Sequence, residues 1–382
     1  MVMLMSICVT IGFQREVKDR MSAVVGHCQV MNAYSLYNDL PRPIQITDSL
    51  CLSLRRQDGV RTVSRYVLYP GMLKTEDSFK GIMFRGVGED FDSSFLSTCL
   101  ISGTIPAFGS PARGTSSAKD SIVLSVRLAS EMKVGVGERI YAYFFDSGLR
   151  VRRFVVAGTY QTNLADYDTK ICYADSRVVQ KLARMDSCQY SGAEVRLADR
   201  ASLDTLYAAL SQPFLHLQDD YGQPYAVARV EEIFPQIFSW LTLLDTNVVA
   251  ILILMISVAC VTMVSGLIII ILERTRFIGV MKAMGATNRQ LRHIFLYLAS
   301  FIVLRGLLLG NILAFVILGI QRFTGIVALD PTNYYLDRVP VYFPWMAIIL
   351  TNLLTMFVCV LVLVLPTYLI SRVHPVKSIR FE

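Results

Sequence analysis

Three long stretches near the C-terminus of the sequence contain almost no charge. Residues 248–272 and 345–370 contain none, and residues 295–320 contain only Arg305. Each stretch exceeds the about 20 residues that an α-helix needs to cross the hydrocarbon layer of a bilayer. We therefore predict three membrane-spanning helices in the last third of this 382-residue chain, of which 53% is apolar.

Motifs for nucleotides, metals and catalysis are also missing. No GxxxxGK[ST] phosphate loop occurs, and the Gly-Val-Gly triplets at Gly86 and Gly135 do not continue as dinucleotide fingerprints. The four histidines lie far apart, and the eight cysteines show neither a CxxC pair nor a zinc spacing. Buried free thiols are the interpretation, with one disulfide as the alternative. The sequence predicts a non-catalytic chain with no ATP site, metal or cofactor of its own.

The first 13 residues are apolar and are followed by Gln14, Arg15 and Glu16. A secretory signal peptide needs a basic start and a small-residue cleavage site, and neither is present. We interpret this segment as part of a fourth span whose beginning is truncated. A short interfacial helix is the alternative.

The loops predict the orientation of the chain. The turn at residues 272–292 contains five Lys or Arg, whereas the loop at 321–344 contains two, offset by two Asp. Short loops rich in Lys and Arg remain cytoplasmic. The basic turn and the C-terminal tail are therefore predicted inside, and the long segment before the second span outside.

The external segment reads as an α+β domain rather than a linker. Runs rich in β-branched and aromatic residues predict strands at 60–68, 81–87, 139–145, 152–160 and 193–197. Helices are predicted at 121–132, 176–185 and 202–211, with Ser176 and Asp199 near two helix starts. The Gly-, Ser- and Pro-rich residues 103–119 predict an exposed loop.

A β-hairpin is predicted at residues 141–156, and its second strand begins with Arg150, Arg152 and Arg153. Three arginines beside a turn can present a cationic patch to an acidic protein partner. The alternative is a solvated hairpin whose charges protect an exposed edge.

The basic turn at 272–292 also has an apolar side. A helix over 273–285 would place Arg274 and Lys282 away from that side. The side is formed by Phe277, Val280, Met281 and Met284. Such a helix can lie among lipid headgroups or dock into a groove on a cytosolic protein, and the pattern leaves both open.

The end of this short helix is predicted from three consecutive residues. Gly285-Ala286 supplies a helix stop, and Thr287 can cap the helix that follows. Further along, Arg305 is predicted either to reach the inner headgroups or to pair with a partner subunit. Gly306 and Gly310 form a GxxxG pattern that allows close helix contact.

The segment ERTRFIGVMKAMGATNRQLRHIF resembles the coupling segment of the FtsX/MacB-like permease superfamily of ABC transporters. It departs from the family pattern at Phe277, where an acid is common. It keeps Glu273, Arg274, Ile278, Gly279, Lys282, Ala283, Gly285 and Ala286. The resemblance implies that this helix sits in a cleft of a separate cytosolic ATPase, with Met281 and Met284 also in the coupling set.

The external pieces VTIGFQREVKDR, LSVRLASEMKVGVGERIYAYF and RRFVVAGTYQTNLADYDTKICYADSRVVQKL, and the tail SRVHPVKSIRFE, resemble the lipoprotein-releasing (LolC/LolE-like) branch. This resemblance implies a multi-pass protein of the bacterial inner membrane with a large periplasmic domain. The implied partners are an ABC ATPase that binds ATP and Mg, a second copy or a paralogous permease subunit, a periplasmic lipoprotein chaperone, lipoprotein substrates and membrane lipid, with no nucleic acid.

The same resemblance implies how the chain is divided. The expected parts are a partial first span (1–13), a periplasmic MacB-like domain (14–240), span two (244–272), the coupling helix and turn (273–290), span three (291–321), a periplasmic loop (322–343), span four (344–370) and a cytoplasmic tail (371–382). Rival functions are a MacB-type efflux permease, a signalling permease that regulates cell-wall hydrolases, and a membrane-anchored enzyme.

Overall fold

The computed structural model contains two compact units. The described residues are 1–38, 40–76, 78–109, 120–145, 148–199, 203–214, 216–330, 334 and 336–367. Residues 110–119 of the predicted loop, the turn residues Asp146 and Ser147, and the predicted tail therefore lie outside the described residues.

The first unit, called the helical unit, comprises Met1–Glu16, Ser239–Ala328 and the described residues from Arg338 onward. Its helices are α1 (Val2–Val25), α9 (Pro235–Glu273), α10 (Thr275–Ala283), α11 (Asn288–Thr324) and α12 (Trp345–Thr367), and α1 and α9 continue into the second unit.

Three helices among the described residues, α9, α11 and α12, are long and apolar enough to cross a membrane. These helices agree with the three charge-poor stretches of the sequence. The helix α1 is not among them, so the fourth span stays a prediction. Its apolar start nevertheless packs in the helical unit, where Leu4 and Cys8 share an apolar cluster with Ala314 and Leu318.

Polar contacts also tie the helices of this unit together. The Gln14 Nε2 atom donates hydrogen bonds to the Leu241 carbonyl (3.0 Å) and to Asp245 Oδ1 (2.7 Å), which joins α1 to α9. Between α11 and α12, Asn311 Nδ2 donates to Asn352 Oδ1 at 3.0 Å. An amide pair inside an apolar helix bundle fixes the register of two helices, because neither side chain has water to bind instead.

The second unit, called the mixed-sheet unit, comprises Val17–Phe238 and Leu329–Asp337. Its ten-stranded sheet contains both parallel and antiparallel pairs. The strands are β1 (Cys28–Asn32), β3 (Val60–Lys74), β4 (Phe79–Val87), β5 (Leu100–Gly103), β6 (Ser121–Ser125), β7 (Arg139–Phe144), β8 (Arg150–Tyr160), β9 (Ile171–Asp175), β11 (Gly192–Leu197) and β12 (Tyr225–Arg229). A separate pair joins β2 (Ile44–Gln45) to β10 (Gln189–Tyr190).

Six of these strands close into a ring. The order β3-β4-β9-β6-β8 continues through β7, which pairs with β8 on one side and with the far end of β3 on the other. The ring encloses an apolar core in which Phe84 contacts Phe144 and Phe154, with ring centroids 5.1 and 5.7 Å apart. Gly71 is required at the closure, because a Cβ atom there would lie 2.7 Å from Phe144 and 2.8 Å from Phe84.

Helices connect several of the strands. They are α2 (Asp48–Arg55), α3 (Ser94–Thr98), α4 (Val126–Met132), α5 (Ala165–Lys170), α6 (Ser176–Ala183), α7 (Leu203–Phe214) and α8 (Val230–Ile233). A second apolar core lies beside the ring and includes Val63 of β3, Val195 of β11, and Leu206 and Leu210 of α7.

One local prediction was wrong. The predicted helix 121–132 begins as the strand β6, because all five residues of Ser121–Ser125 are buried in the ring, and only Val126–Met132 is helical. Ser176 lies at the start of α6, as predicted, and the N-cap itself is Asp175, whose carboxylate accepts a hydrogen bond from Arg177 N. The five predicted strands are all present, and most are longer than predicted.

A buried ion pair joins the ring to the second core. Arg85 of β4 and Glu194 of β11 are 3% and 1% exposed, and their side chains are in contact. Arg85 Nη1 also donates to the Tyr167 hydroxyl at 3.0 Å, and the guanidinium lies over the ring of Tyr66. Although burial alone lowers the pKa of Arg85, the charge of Glu194 raises it well above its usual value. The guanidinium is therefore charged in the interior.

Candidate functional site

The helix α10 is separated from α9 by a break at Arg274 and ends at Ala283, so it is shorter than the predicted 273–285. Its inner side packs against the long helices of the helical unit. Ile278 and Gly279 are buried, and Met281 packs against the same apolar cluster. All three long helices contribute to this cluster, including Leu267 and Ile271 from α9, Leu291 and Phe295 from α11, and Cys359 and Leu363 from α12. The cluster therefore ties α10 to all three long helices.

Two apolar side chains of α10 and that of its C-cap residue, Met284, point away from this cluster. Phe277, Val280 and Met284 are 47%, 45% and 71% exposed, and they are spaced three and four residues apart on one side of the helix. We call these three residues the α10 outer face. The exposed side chains of Arg274 and Arg276 lie at its edge. Of the four residues on the predicted apolar side, Met281 packs against the cluster and the other three form the α10 outer face.

The turn after α10 has the geometry that its sequence predicts. Gly285 has a φ of +96°, a left-handed conformation that side chains with a Cβ atom rarely adopt. Its N–H donates to the Lys282 carbonyl at 3.0 Å, and Ala286 N donates to the Met281 carbonyl at 2.9 Å. Thr287 then caps α11 by accepting a hydrogen bond from Gln290 N. The α10 outer face is thus held by a tight turn between two helices.

The charged members of the predicted coupling set lie around this face. Glu273 is the last residue of α9 and is exposed, as is Ala283 at the end of α10. Lys282 is half-buried, and burial lowers the pKa of its ammonium group. The predicted coupling set, Glu273 to Ala286, therefore comprises the end of α9, the helix α10 and the turn that follows it.

The predicted hairpin is present as β7 and β8, and strand alternation divides its three arginines. Arg150 Nη1 donates to the Leu182 carbonyl at 2.8 Å, and Arg152 forms an ion pair with Asp120 at 2.7 Å. Arg153 projects from the other face of β8 and is exposed. Of the three arginines, Arg153 is the one whose charge faces solvent most fully.

Arg153 belongs to a row of exposed side chains that crosses four strands. Arg153 pairs with Tyr141 of β7, Tyr141 pairs with Lys74 of β3, and Lys74 pairs with Phe79 of β4. All four are exposed on the outside of the ring. We call Phe79, Lys74, Tyr141 and Arg153 the strand row. Of these four residues, the sequence pattern indicates Arg153 only, because the other three reach it through strand pairing.

Beside the strand row, a second set of side chains adds apolar area. Met72, Tyr143 and Val151 are cross-strand neighbours on the same face of the sheet, and Lys74 Nζ lies 5.6 Å from the centroid of the Tyr143 ring. Phe145 at the end of the hairpin is also exposed. Aromatic, apolar and cationic side chains together are the composition typical of a protein-binding surface.

The predicted membrane residues lie on α11. Arg305 is exposed, and its guanidinium carbon lies 4.3 Å from the centroid of the Phe301 ring. A Cβ atom on Gly306 would meet no atom within 4 Å, whereas one on Gly310 would lie 3.4 Å from Met1 N. The two glycines therefore face different surroundings, and their proposed role in subunit packing stays a prediction.

The potential metal ligands and the cysteines do not form a cluster in the described part of the chain. Within it, no group of three or more His, Cys, Asp or Glu residues is placed to hold a metal ion. All eight cysteines lie in the described residues, and none of them forms a disulfide there.

The family model for the FtsX-like permease C-terminal domain matches residues 247–375. The C-terminal part of this chain is an FtsX-like permease domain. The match contains α10, its turn and the α10 outer face, so the resemblance inferred from the coupling segment is confirmed. The FtsX-like permease domain also contains α11 and most of α9.

Similarity to curated proteins extends over the whole chain. The lipoprotein-releasing system transmembrane protein LolE of Haemophilus influenzae is 21% identical over 381 residues, which is 96% of this chain and 88% of LolE. LolC of Xylella fastidiosa strain Temecula1 is 21% identical over 398 residues, which is 100% of this chain and 91% of LolC. LolC of Neisseria meningitidis is 20% identical over 393 residues, with 97% and 88% covered. Over nearly its full length, this chain is therefore similar to the LolC and LolE permeases.

Two solved structures are similar to about half of this chain. The periplasmic region of MacB from Actinobacillus actinomycetemcomitans matches 55% of this chain and 91% of its own, with 12% identity and a TM-score of 0.36. The extracellular domain of the ABC-type transporter YknZ from Gram-positive bacteria matches 53% of this chain and 98% of its own, with 13% identity and a TM-score of 0.33.

Proposed function

We propose that this chain is the membrane subunit of an ABC transporter that releases lipoproteins from the inner membrane of a bacterium. The observation that carries the proposal is the similarity to LolC and LolE over nearly the full chain, which includes both the FtsX-like domain and the external domain. The described geometry adds an exposed helix face of the kind that docks a cytosolic partner.

The α10 outer face is the proposed contact with a separate ATPase, which binds ATP and Mg. An apolar helix face lying in a groove of the ATPase would follow the groove when nucleotide closes it. The inner side of α10 shares one apolar cluster with α9, α11 and α12, so α10 cannot move without displacing those helices. The chain would then convert closure of the ATPase into movement of the spans, by biasing a two-state membrane element.

Lipoprotein release requires an acceptor for the extracted lipid anchor. We assign this role to a soluble periplasmic chaperone, and the strand row is its proposed contact on the mixed-sheet unit. The row offers two cations and two aromatic rings, which suits a partner whose surface is apolar with an acidic edge. Arg150 and Arg152 would support the hairpin from behind, because both are bonded within the unit.

Depletion of the protein in its native host tests the proposed function. Outer-membrane lipoproteins are expected to accumulate in the inner membrane, because extraction is blocked before delivery. The measurement is the distribution of lipoproteins between inner and outer membranes separated by density. An unchanged distribution would contradict lipoprotein release and would favour the efflux or signalling alternatives, whose loss leaves lipoproteins correctly placed.

The chaperone contact predicts a second result. Replacing Arg153 with Glu and Tyr141 with Ser is expected to weaken chaperone binding by at least about 2 kcal/mol, or about 30-fold in affinity, because it reverses a charge and removes an aromatic contact. The measurement is titration of purified chaperone against the full chain in detergent. Arg61→Glu is the matched control, since Arg61 is also an exposed arginine on a strand. Equal affinities of both variants would exclude the strand row as the contact.

A further inference from the structure

Between α11 and α12, Val327 and Ala328 pair with Arg338 and Val339, and we call these two paired arms and the described residues between them the connecting hairpin. Val339 N donates to the Val327 carbonyl at 3.2 Å, and Ala328 bridges Arg338. Gln321 of α11 holds both arms, because its Nε2 atom donates to the carbonyls of Val327 (3.1 Å) and Val339 (3.3 Å). The base of the connecting hairpin is therefore tied to the end of α11.

The described residues at the tip of the connecting hairpin, which include Leu336 and Asp337, belong to the mixed-sheet unit. Leu336 is buried, and both carboxylate oxygens of Asp337 accept hydrogen bonds of 2.9 Å from Asn163 Nδ2. Asn163 lies between β8 and α5. We call Asn163 and Asp337 the latch pair.

Asn163 is held in place by buried neighbours. Its φ of +63° is uncommon for a residue with a side chain, and asparagine tolerates that conformation better than most. The buried carboxylate of Asp168 accepts hydrogen bonds from Asn163 N and from the hydroxyl of Thr162. Tyr167, which precedes Asp168, accepts a hydrogen bond from Arg85. The latch pair is thus connected to the buried ion pair of the sheet.

The contact within the latch pair is exposed, in contrast to its supports. A hydrogen bond to a carboxylate contributes less to stability in contact with water than where it is shielded from solvent. A contact of that strength can break and form again during each transport cycle. Its supports, Asp168 and Leu336, are buried and would persist through the cycle.

Movement of α10 has a continuous route to this contact. The 37-residue α11 begins at the turn after α10 and is about 55 Å long at 1.5 Å per residue. Its last turns include Gln321, which holds the connecting hairpin. A displacement at the cytoplasmic end of a rigid helix therefore reaches the arms of the hairpin whose tip carries Asp337.

We propose that Asn163 and Asp337 are positioning residues that couple ATP use to release, by making and breaking their contact as the nucleotide state changes. The inference rests on the proposed function for its substrate. It assigns a role to the connection between α11 and α12, in addition to the α10 outer face.

The test uses two cysteines, Asn163→Cys and Asp337→Cys, in the full chain with the exposed Cys188 and the half-buried Cys99 and Cys260 replaced by serine. The complex is purified with its ATPase. A short bis-methanethiosulfonate reagent bridges the cysteines, because side chains that meet at their tips leave the two Cβ atoms farther apart than the about 3.8 Å of a disulfide. The bridging yield is expected to differ several-fold between nucleotide-free complex and complex trapped with a non-hydrolysable ATP analogue. Equal yields in both states, or no bridging in either, would overturn the proposal.

The second readout is release of lipoproteins from spheroplasts. The bridged complex is expected to hydrolyse ATP while releasing several-fold less lipoprotein per ATP, and a reductant should restore release. Asp337→Leu is expected to lower the amount of lipoprotein released per ATP hydrolysed. Asp337→Asn, which keeps one acceptor oxygen, is expected to preserve most of this ratio. Normal ratios in the bridged and Asp337→Leu forms would refute the latch. If the unmodified chain releases no lipoprotein, the proposed function fails, and the nucleotide dependence of bridging still decides the latch.

Discussion

Replacing Glu194 with leucine is expected to lower the free energy of unfolding of the mixed-sheet unit by about 3–5 kcal/mol. The reason is that Arg85 remains charged and buried, and no carboxylate remains to offset its desolvation. For a unit of this size the change corresponds to a fall of about 6–20 °C in Tm. The measurement is the thermal unfolding of the purified full chain in detergent, followed by intrinsic fluorescence.

Two further variants separate the ion pair from mere loss of a side chain. The double replacement Arg85→Met and Glu194→Leu is expected to recover most of the loss, because an apolar pair of similar volume carries no desolvation cost. Glu89→Leu removes the exposed partner of Arg177 and is expected to change stability by about 0–1 kcal/mol. A double variant that is less stable than Glu194→Leu alone would contradict this account.

The elements that depend on local sequence were largely predictable. The turn after α10 follows from two nearby signals, a glycine that allows positive φ and a threonine that caps the next helix, and the structure has both. The long helices follow from length and lack of charge. In each of these cases the deciding interactions lie within a few residues of one another.

Features that depend on distant residues were not predictable. The ring closes through the pairing of β3 with β7, and Arg85 meets Glu194 across a separation of 109 residues, so no local pattern indicates either contact. Residues 121–125 illustrate the same limit. A run of apolar residues fits a buried strand or a buried helix, and tertiary pairing with β8 selects the strand.

For the arginines of the hairpin, the alternation of side chains along a strand was already readable in the sequence. Side chains alternate between the two faces of a strand, so Arg153 must project opposite to Arg150 and Arg152. For α10, in contrast, the sequence could not predict which apolar residues are exposed. Its sequence indicates one apolar side, and only the packing of Ile278 on three neighbouring helices shows which part stays exposed.

The α10 outer face carries the largest expected effect on assembly. Replacing Val280 with aspartate is expected to weaken binding of the ATPase by at least about 2 kcal/mol, or about 30-fold, because a charge would be buried without a partner in an apolar groove. The measurement is the amount of ATPase that co-purifies with the full chain, followed by the ATPase rate in reconstituted vesicles. Folding should be preserved, since Val280 lies outside the buried cluster.

The matched control is the same substitution at another valine. Val136 is 42% exposed, compared with 45% for Val280, and it lies in the mixed-sheet unit. Val136→Asp is therefore expected to leave ATPase binding unchanged. If Val280→Asp also binds the ATPase normally but associates less with anionic lipid vesicles, the α10 outer face lies among headgroups instead. The difference between these two results decides between docking and lipid anchoring, the two roles that the sequence alone left open.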